Sequence, residues 1–114
     1  MDSRVKHCAN QLERDPLLSL EALSIGAGVS VSRLQHLFTR ELGMSLGTFR
    51  RNIKFRHAQR LLSQFVLVKQ VQMELGFADA SAFARAFKRQ HGLSPNSYRQ
   101  AISRVGADQA TEGY

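Results

Sequence analysis

The 114 residues predict an all-α protein of seven helices, in which two copies of a short helix, a turn and a longer helix are joined by one long helix. Three observations carry this. The chain repeats itself: "GMSLGTFRR" at 43–51 and "GLSPNSYRQ" at 92–100 share Gly, an apolar residue, Ser, three variable residues, an aromatic and Arg. Apolar residues recur three and four apart in blocks, which is helical spacing. Ser, Asp and Gly punctuate those blocks as caps and stops, and nothing reads as a run of strands.

The first helix is expected at about residues 3–14, with Val5, Cys8, Ala9 and Leu12 on one side. The first copy follows. Leu20, Leu23 and Ala27 share a face, and Gly28 supplies the flexible or left-handed position that ends the short helix. Ser30 is a good N-cap for the next helix, whose stripe is Leu34, Leu37, Phe38 and Leu42 and whose stop is Gly43. A linking helix at about 46–63 turns Phe49, Ile53, Ala58, Leu61 and Leu62 inward. In the second copy Val68, Val71 and Leu75 form the short stripe, Gly76 the turn and Asp79 the cap; Phe83, Ala86 and Phe87 form the second stripe, and Gly92 ends it. The last helix, about 95–104, has Ser94 as cap and Pro95 in the first position, where a missing N–H costs nothing. The tail "GADQATEGY" is polar and rich in Gly and Ala, and is expected to be disordered.

The repeat extends upstream. At an offset of 49, Ser32, Leu34, Phe38, Arg40, Gly43, Ser45, Phe49 and Arg50 match Ser81, Phe83, Phe87, Arg89, Gly92, Ser94, Tyr98 and Arg99. Further back the offset is 48, pairing Leu20, Leu23, Gly28 and Val29 with Val68, Val71, Gly76 and Phe77. The extra residue falls between Gly76 and Phe83, where a turn tolerates it. The expected organisation is therefore 1–45 and 64–104 as two subdomains, 46–63 as linker helix and 105–114 as tail.

Sixteen Lys and Arg oppose nine Asp and Glu, a net charge of +7. No acid lies between Glu41 and Glu74, a stretch holding Arg50, Arg51, Lys54, Arg56, Arg60 and Lys69. After Asp79, Arg85, Lys88, Arg89, Arg99 and Arg104 follow before Asp108. Basic stripes on helices suggest a polyanion, most simply nucleic acid, against the plainer reading of a solvated surface. The single Cys excludes a disulfide framework and suits a reducing cytosol. No apolar run approaches the ~20 residues of a membrane helix, and the N-terminus lacks a signal-peptide core. The expected location is cytoplasmic, at the bacterial nucleoid when bound to DNA, with no membrane partner.

An enzyme needs a clustered nucleophile, an acid–base pair or a metal set. The nine acids are scattered, and Cys8 reads as a small buried thiol. His7, His57 and His91 lack Cys or carboxylate partners at ligand spacing, so no catalytic residue, metal or cofactor is expected. Phe38, Phe49, Phe83, Phe87 and Tyr98 fall at helical spacing with other apolar residues, which favours core packing over a stacking platform for single strands.

A helix, a turn containing Gly and a second helix with a basic outer face is the helix-turn-helix pattern. Leu23, Val29, Leu34 and Leu37 lock the two helices at a steep angle, and small Ser24 lets them cross closely. Gln72 stands in that place in the second copy, where its size predicts a rotated or splayed short helix. With the core face fixed, the opposite face follows at 100° per residue. The first copy presents Ser32, His36 and Thr39, flanked by Arg33, Gln35 and Arg40; the second presents Ser81, Arg85 and Lys88, flanked by Ala84 and Arg89, with Ala80 and Ala82 near its start. A reading helix enters the major groove N-terminus first. Gln35 suits adenine, Arg85 guanine, and His36 can donate to guanine N7 or O6. Arg33, Thr39, Arg40, Arg50, Lys88, Arg89 and Arg99 are candidate phosphate contacts, with pairing to a nearby acid equally open to Arg50 and Arg99.

The stretch from Gly76 through "FADASAFARAFKRQHGLSPNSYR" resembles the signature of AraC/XylS-type transcription regulators, through "GF", Phe83, "AFKRQHG", "SP" and Tyr98-Arg99. "GVSVSRLQHLFTRELGMSLGTFRRNIKFRHAQRLL" resembles that family's first helix-turn-helix and linker helix, so the likeness covers roughly residues 5–104. It implies two helix-turn-helix subdomains joined by one helix and binding double-stranded promoter DNA, with RNA polymerase as a partner of an activator. The family's recognition positions carry over to Ser32, Gln35 and His36, and to Ala80, Ser81, Ala82 and Arg85. Gln72 departs from the usual small residue, and Ala80 and Ala82 weaken base reading by the second copy. Family members commonly carry a sensing or dimerising domain, so two expectations stand: a small single-domain regulator, or the DNA-binding part of a larger one, monomeric as this segment and dimeric through a missing domain. The competing function is a protein-binding adaptor or anti-regulator of the same fold with little specific DNA binding.

Overall fold

In the computed structural model of the chain, the described residues are 1–112, with side chains described through Ser103. Among them lie seven α-helices and no strand: α1 Ser3–Arg14, α2 Leu20–Ala27, α3 Val31–Leu42, α4 Leu46–Ser63, α5 Val68–Glu74, α6 Ala80–His91 and α7 Pro95–Glu112. No helix among the described residues is long and apolar enough to cross a membrane. α7 runs past the expected end at 104. The side chains beyond Ser103, and residues 113–114 entirely, lie outside the described residues; where disorder was expected over 105–114, the described backbone is helical as far as Glu112.

The helix ends follow local chemistry. Ser30 accepts the Arg33 N–H at 3.1 Å, and Asp79 accepts the Ala82 N–H at 2.7 Å. Ser45 and Ser94 do the same for α4 and α7, accepting the Thr48 and Ser97 N–H groups at 3.1 and 3.2 Å. Each such bond satisfies one of the donors a helix start leaves without a partner. Gly28 closes α2 at φ 71°. A Cβ there would meet nothing within 4 Å, so glycine is required by the left-handed backbone and not by space. α4 ends without a glycine: Phe65 takes φ 62° and leaves its ring 71% exposed. Such a backbone costs a non-glycine residue on the order of 1–2 kcal/mol.

The chain forms two compact units, Met1–Lys54 and Phe55–Tyr114. In the first, Val5, Cys8 and Leu12 of α1 pack with Leu23, Leu34, Leu37, Phe38, Leu46 and Ile53. In the second, Phe55, Ala58 and Leu62 of α4 pack with Val71, Leu75, Phe83 and Phe87. The boundary thus falls inside the linker helix, whose two halves serve different cores. Burying a Leu or Phe side chain contributes about 1.5–3 kcal/mol. That places most of the stabilisation of each unit in its few fully buried rings and leucines.

The second core closes around an aromatic group. Phe87 lies 5.8 Å from Phe83, 6.1 Å from Phe55 and 5.4 Å from Tyr98, in edge-on geometry that suits ring quadrupoles. His91 joins it 4.6 Å from Phe87 and 5.7 Å from Phe55. Its Nε2 is enclosed without a hydrogen-bond partner. Burial pushes this imidazole below its ordinary 6.5, a hydrogen bond with the Phe55 backbone opposing the shift. Burial, and then the Arg60 charge, also push His57 down, with Glu74 acting the other way.

Both histidines therefore bind a proton more weakly folded than unfolded. Their contribution is fully present above the unfolded value of 6.5 and is lost as pH falls from there through the lower folded values. The thermal midpoint should hold steady near pH 7 and fall toward about pH 5, the range in which histidine changes charge. His91→Leu should flatten part of that fall in melts followed by circular dichroism.

Candidate nucleic-acid interface

Burial on one side of α3 decides what its other side offers. Leu34, Leu37 and Phe38 are 1%, 3% and 0% exposed, while Ser32, Arg33, Gln35, His36, Thr39 and Arg40 are all exposed. α6 repeats the arrangement. Phe83 and Phe87 are fully buried, Ala80, Ser81, Arg85, Lys88 and Arg89 are exposed, and Ala82 and Ala84 are half-buried. Ser32, Gln35 and His36 thus share one outward face of α3, while on α6 Ala80, Ser81 and Arg85 are exposed and Ala82 turns partly inward. On α3 the Thr39 hydroxyl donates to the Gln35 carbonyl at 3.0 Å, which keeps its oxygen available as an acceptor.

The turns before the two helices share a backbone. Gly28 and Gly76 have φ 71° and 77°. The Val29 N–H donates to the Ser24 carbonyl at 3.2 Å, and the Phe77 N–H to the Gln72 carbonyl at 3.1 Å. Ser24 is 8% exposed and its hydroxyl donates to the Glu21 carbonyl at 2.8 Å. Gln72, expected to be too large here, is accommodated: it is 7% exposed, and its Nε2 donates to the Phe77 carbonyl at 2.6 Å. A long side chain can occupy a helix crossing when its amide finds an acceptor inside.

Arg99 has backbone partners within the fold. Its Nε donates to the Leu62 carbonyl at 3.2 Å and its Nη2 to the Val66 carbonyl, on either side of the left-handed Phe65. The guanidinium, a candidate for phosphate or for an acid, thereby ties α7 to the end of α4. Its repeat counterpart Arg50 is half-buried, with Nη2 enclosed and without a hydrogen-bond partner, so it stands apart from the exposed rim of Arg33 and Arg40. The Arg50 charge also reaches Cys8, whose thiol burial pushes up while that charge pulls it down. Lys54 is held below its usual range by burial and by Arg50. On the α4 surface, Arg51, Arg56 and Arg60 are exposed, and the Arg60 guanidinium lies against the His57 ring at 3.0 Å. Among the described residues no cluster of three or more His, Cys, Asp or Glu is arranged to hold a metal.

A family model described as a helix-turn-helix domain matches residues 23–101. The chain belongs to the AraC/XylS family. It is 32% identical over 103 residues to the arabinose operon regulatory protein of Salmonella typhimurium, covering 87% of this chain and 37% of that one. The chain spans about a third of the length of the curated relatives it matches. Among solved structures, the C-terminal domain of AraT, a response regulator from Geobacillus stearothermophilus, is 26% identical with a TM-score of 0.80, covering 88% of this chain and 86% of that one. The DNA-binding domain of AdpA, a global transcriptional factor solved in complex with a target DNA, shares the fold with a TM-score of 0.80 at 24% identity, covering 90% and 95% of the two chains.

Because Arg99 is tied to two carbonyls, its loss should be felt in folding. Hydrogen bonds to a charged donor are worth about 1.5–3 kcal/mol, so Arg99→Ala should lower unfolding free energy by about that much. Arg89→Ala, on an exposed face, should stay within about 0.5 kcal/mol of wild type. Denaturant titrations that gave the two variants equal stability would contradict the assignment.

Proposed function

We propose that this chain is the sequence-specific, duplex-DNA-binding part of a transcription regulator, each of its two outward helix faces reading a major-groove segment. One observation carries the reading: the residues of α3 and α6 opposite the two buried stripes are exposed, basic or hydrogen-bonding, and follow turns of the same backbone geometry. Gln35 and His36 have the reach and the donors for base edges, with Ser32 beside them nearer the helix start. On α6, Arg85 is the strong reader, Ser81 the short one, and Ala80 offers a methyl group to thymine, with Ala82 half-buried behind it. Arg33, Thr39, Arg40, Lys88 and Arg89 lie around these and supply phosphate contacts, which position the protein without specifying sequence. Arg50 contributes only through the nitrogens that are not enclosed. Because α4 carries both readers in one chain, a single copy covers an asymmetric site. RNA polymerase is the second partner where the regulator activates.

Binding to a duplex should weaken steeply with salt. Six to ten neutralised phosphates cost on the order of 10³–10⁵ in affinity between about 50 and 200 mM. A flat response in a shift assay would rule out backbone-dominated binding.

The two helices should also contribute unequally. A bidentate base contact is worth about 1–3 kcal/mol of discrimination. In selection from random duplexes, Gln35→Ala should relax preference across one half-site, and Arg85→Ala at about one guanine of the other. Equal information in the two wild-type half-sites would count against this.

A further inference from the structure

The second copy is built on the weaker short helix. α2 has eight residues and a hydroxyl cap from Ser19, which accepts the Ala22 N–H at 3.0 Å. α5 has seven residues, and Leu67 at its N-cap makes no side-chain bond. A short helix without a cap frays, because its first N–H groups lack partners. α6 follows α5 through the turn at Gly76, and Asp79 caps its start.

Gln72 acts at the other end of α5, across the turn into α6. Its backbone carbonyl accepts the Phe77 N–H at 3.1 Å, as Ser24 accepts that of Val29. Its side chain adds a second bond, Nε2 donating to the Phe77 carbonyl at 2.6 Å, from a residue 7% exposed. One residue thus holds both polar ends of Phe77. Ser24 makes no such addition, since its hydroxyl turns back to Glu21 in its own helix. The Phe77 ring packs 5.3 Å from Phe83, on the first turn of α6, and 6.2 Å from Phe55. The orientation fixed at Phe77 is thereby passed to the helix that carries Arg85.

We infer that Gln72 is a positioning residue for the second reading helix, its amide clamp on Phe77 fixing the entry of α6 and so the aim of Arg85. This rests on the DNA-reading assignment of α6. A bidentate contact tolerates little angular error, so the clamp acts on specificity more than on attraction to the backbone. The first copy has no such clamp, since the Ser24 hydroxyl donates within α2.

The test is selection from random duplexes with the full chain as wild type, Arg85→Ala, Gln72→Met and Gln72→Ala. Each protein is melted by circular dichroism first, so that all are compared at matched folded fraction. Met keeps the volume and removes the donor; Ala matches the small size the crossing tolerates at Ser24, and stands in if Met does not fold. Wild type should show preference in two half-sites, and Arg85→Ala marks which one α6 reads. Both Gln72 variants should lose about three- to tenfold in discrimination in that half-site, the scale of one hydrogen bond, and keep the other half-site and the non-specific affinity. A Gln72 variant that keeps the α6 half-site, or loses both half-sites equally, overturns the inference. A wild type with no preference at all sinks the DNA-reading assignment instead, and that outcome is read before any variant.

Discussion

A helix of twelve residues, like α3 or α6, cannot choose its outer face independently of its inner one. At 100° per residue, burying Leu34, Leu37 and Phe38 commits Ser32, Gln35, His36 and Thr39 to the far side. Phe83 and Phe87 impose the same commitment on Ser81, Arg85 and Lys88. Rotating either helix to present other residues would expose a fully buried ring, at a cost of about 1.5–3 kcal/mol for each. In units this small, with a handful of buried side chains apiece, that penalty is a large share of the total stability. The outward face is therefore a consequence of the core.

The two copies reach the same turn by different chemistry. Each needs a left-handed glycine and a backbone bond across it, and each has them. The first adds a capped eight-residue helix and a small residue at the crossing; the second adds a buried amide, an aromatic cluster from Phe55 to Tyr98, and an arginine that ties its last helix to the end of α4. Duplicated units under one packing rule can drift in this way, because the rule constrains the inward positions and the turn, while the means of holding the turn is free to vary. The outward residues also differ: at the offset of 49, Gln35 and His36 correspond to Ala84 and Arg85.

Much of this was legible in the sequence, and the reasons for the rest are physical. The caps at Ser30, Asp79 and Ser94, the stops at Gly28, Gly43 and Gly92, and the inward stripes of α3 and α6 depend on neighbours within four residues, which a chain displays directly. Phe55, absent from the expected inward set, lies about 200° around the helix from Ile53, on the side of Ala58 and Leu62. The two stripes of α4 belong to two cores. Gln72 was judged by volume, and the acceptor that makes its burial tolerable sits five residues away across a turn. Arg99 was judged by its place at a helix start, yet its partners are 33 and 37 residues distant. Non-local hydrogen bonds leave no periodic trace.

The central claim is that the exposed faces of α3 and α6 together are the DNA-contacting surface. It is tested most directly by following backbone amide resonances of the whole chain as a selected duplex is added. The largest shifts should fall on residues 31–40 and 80–89, with the buried stripe positions moving least. Shifts confined to the exposed apolar residues around Leu67 and Met73, with α3 and α6 unmoved, would contradict it.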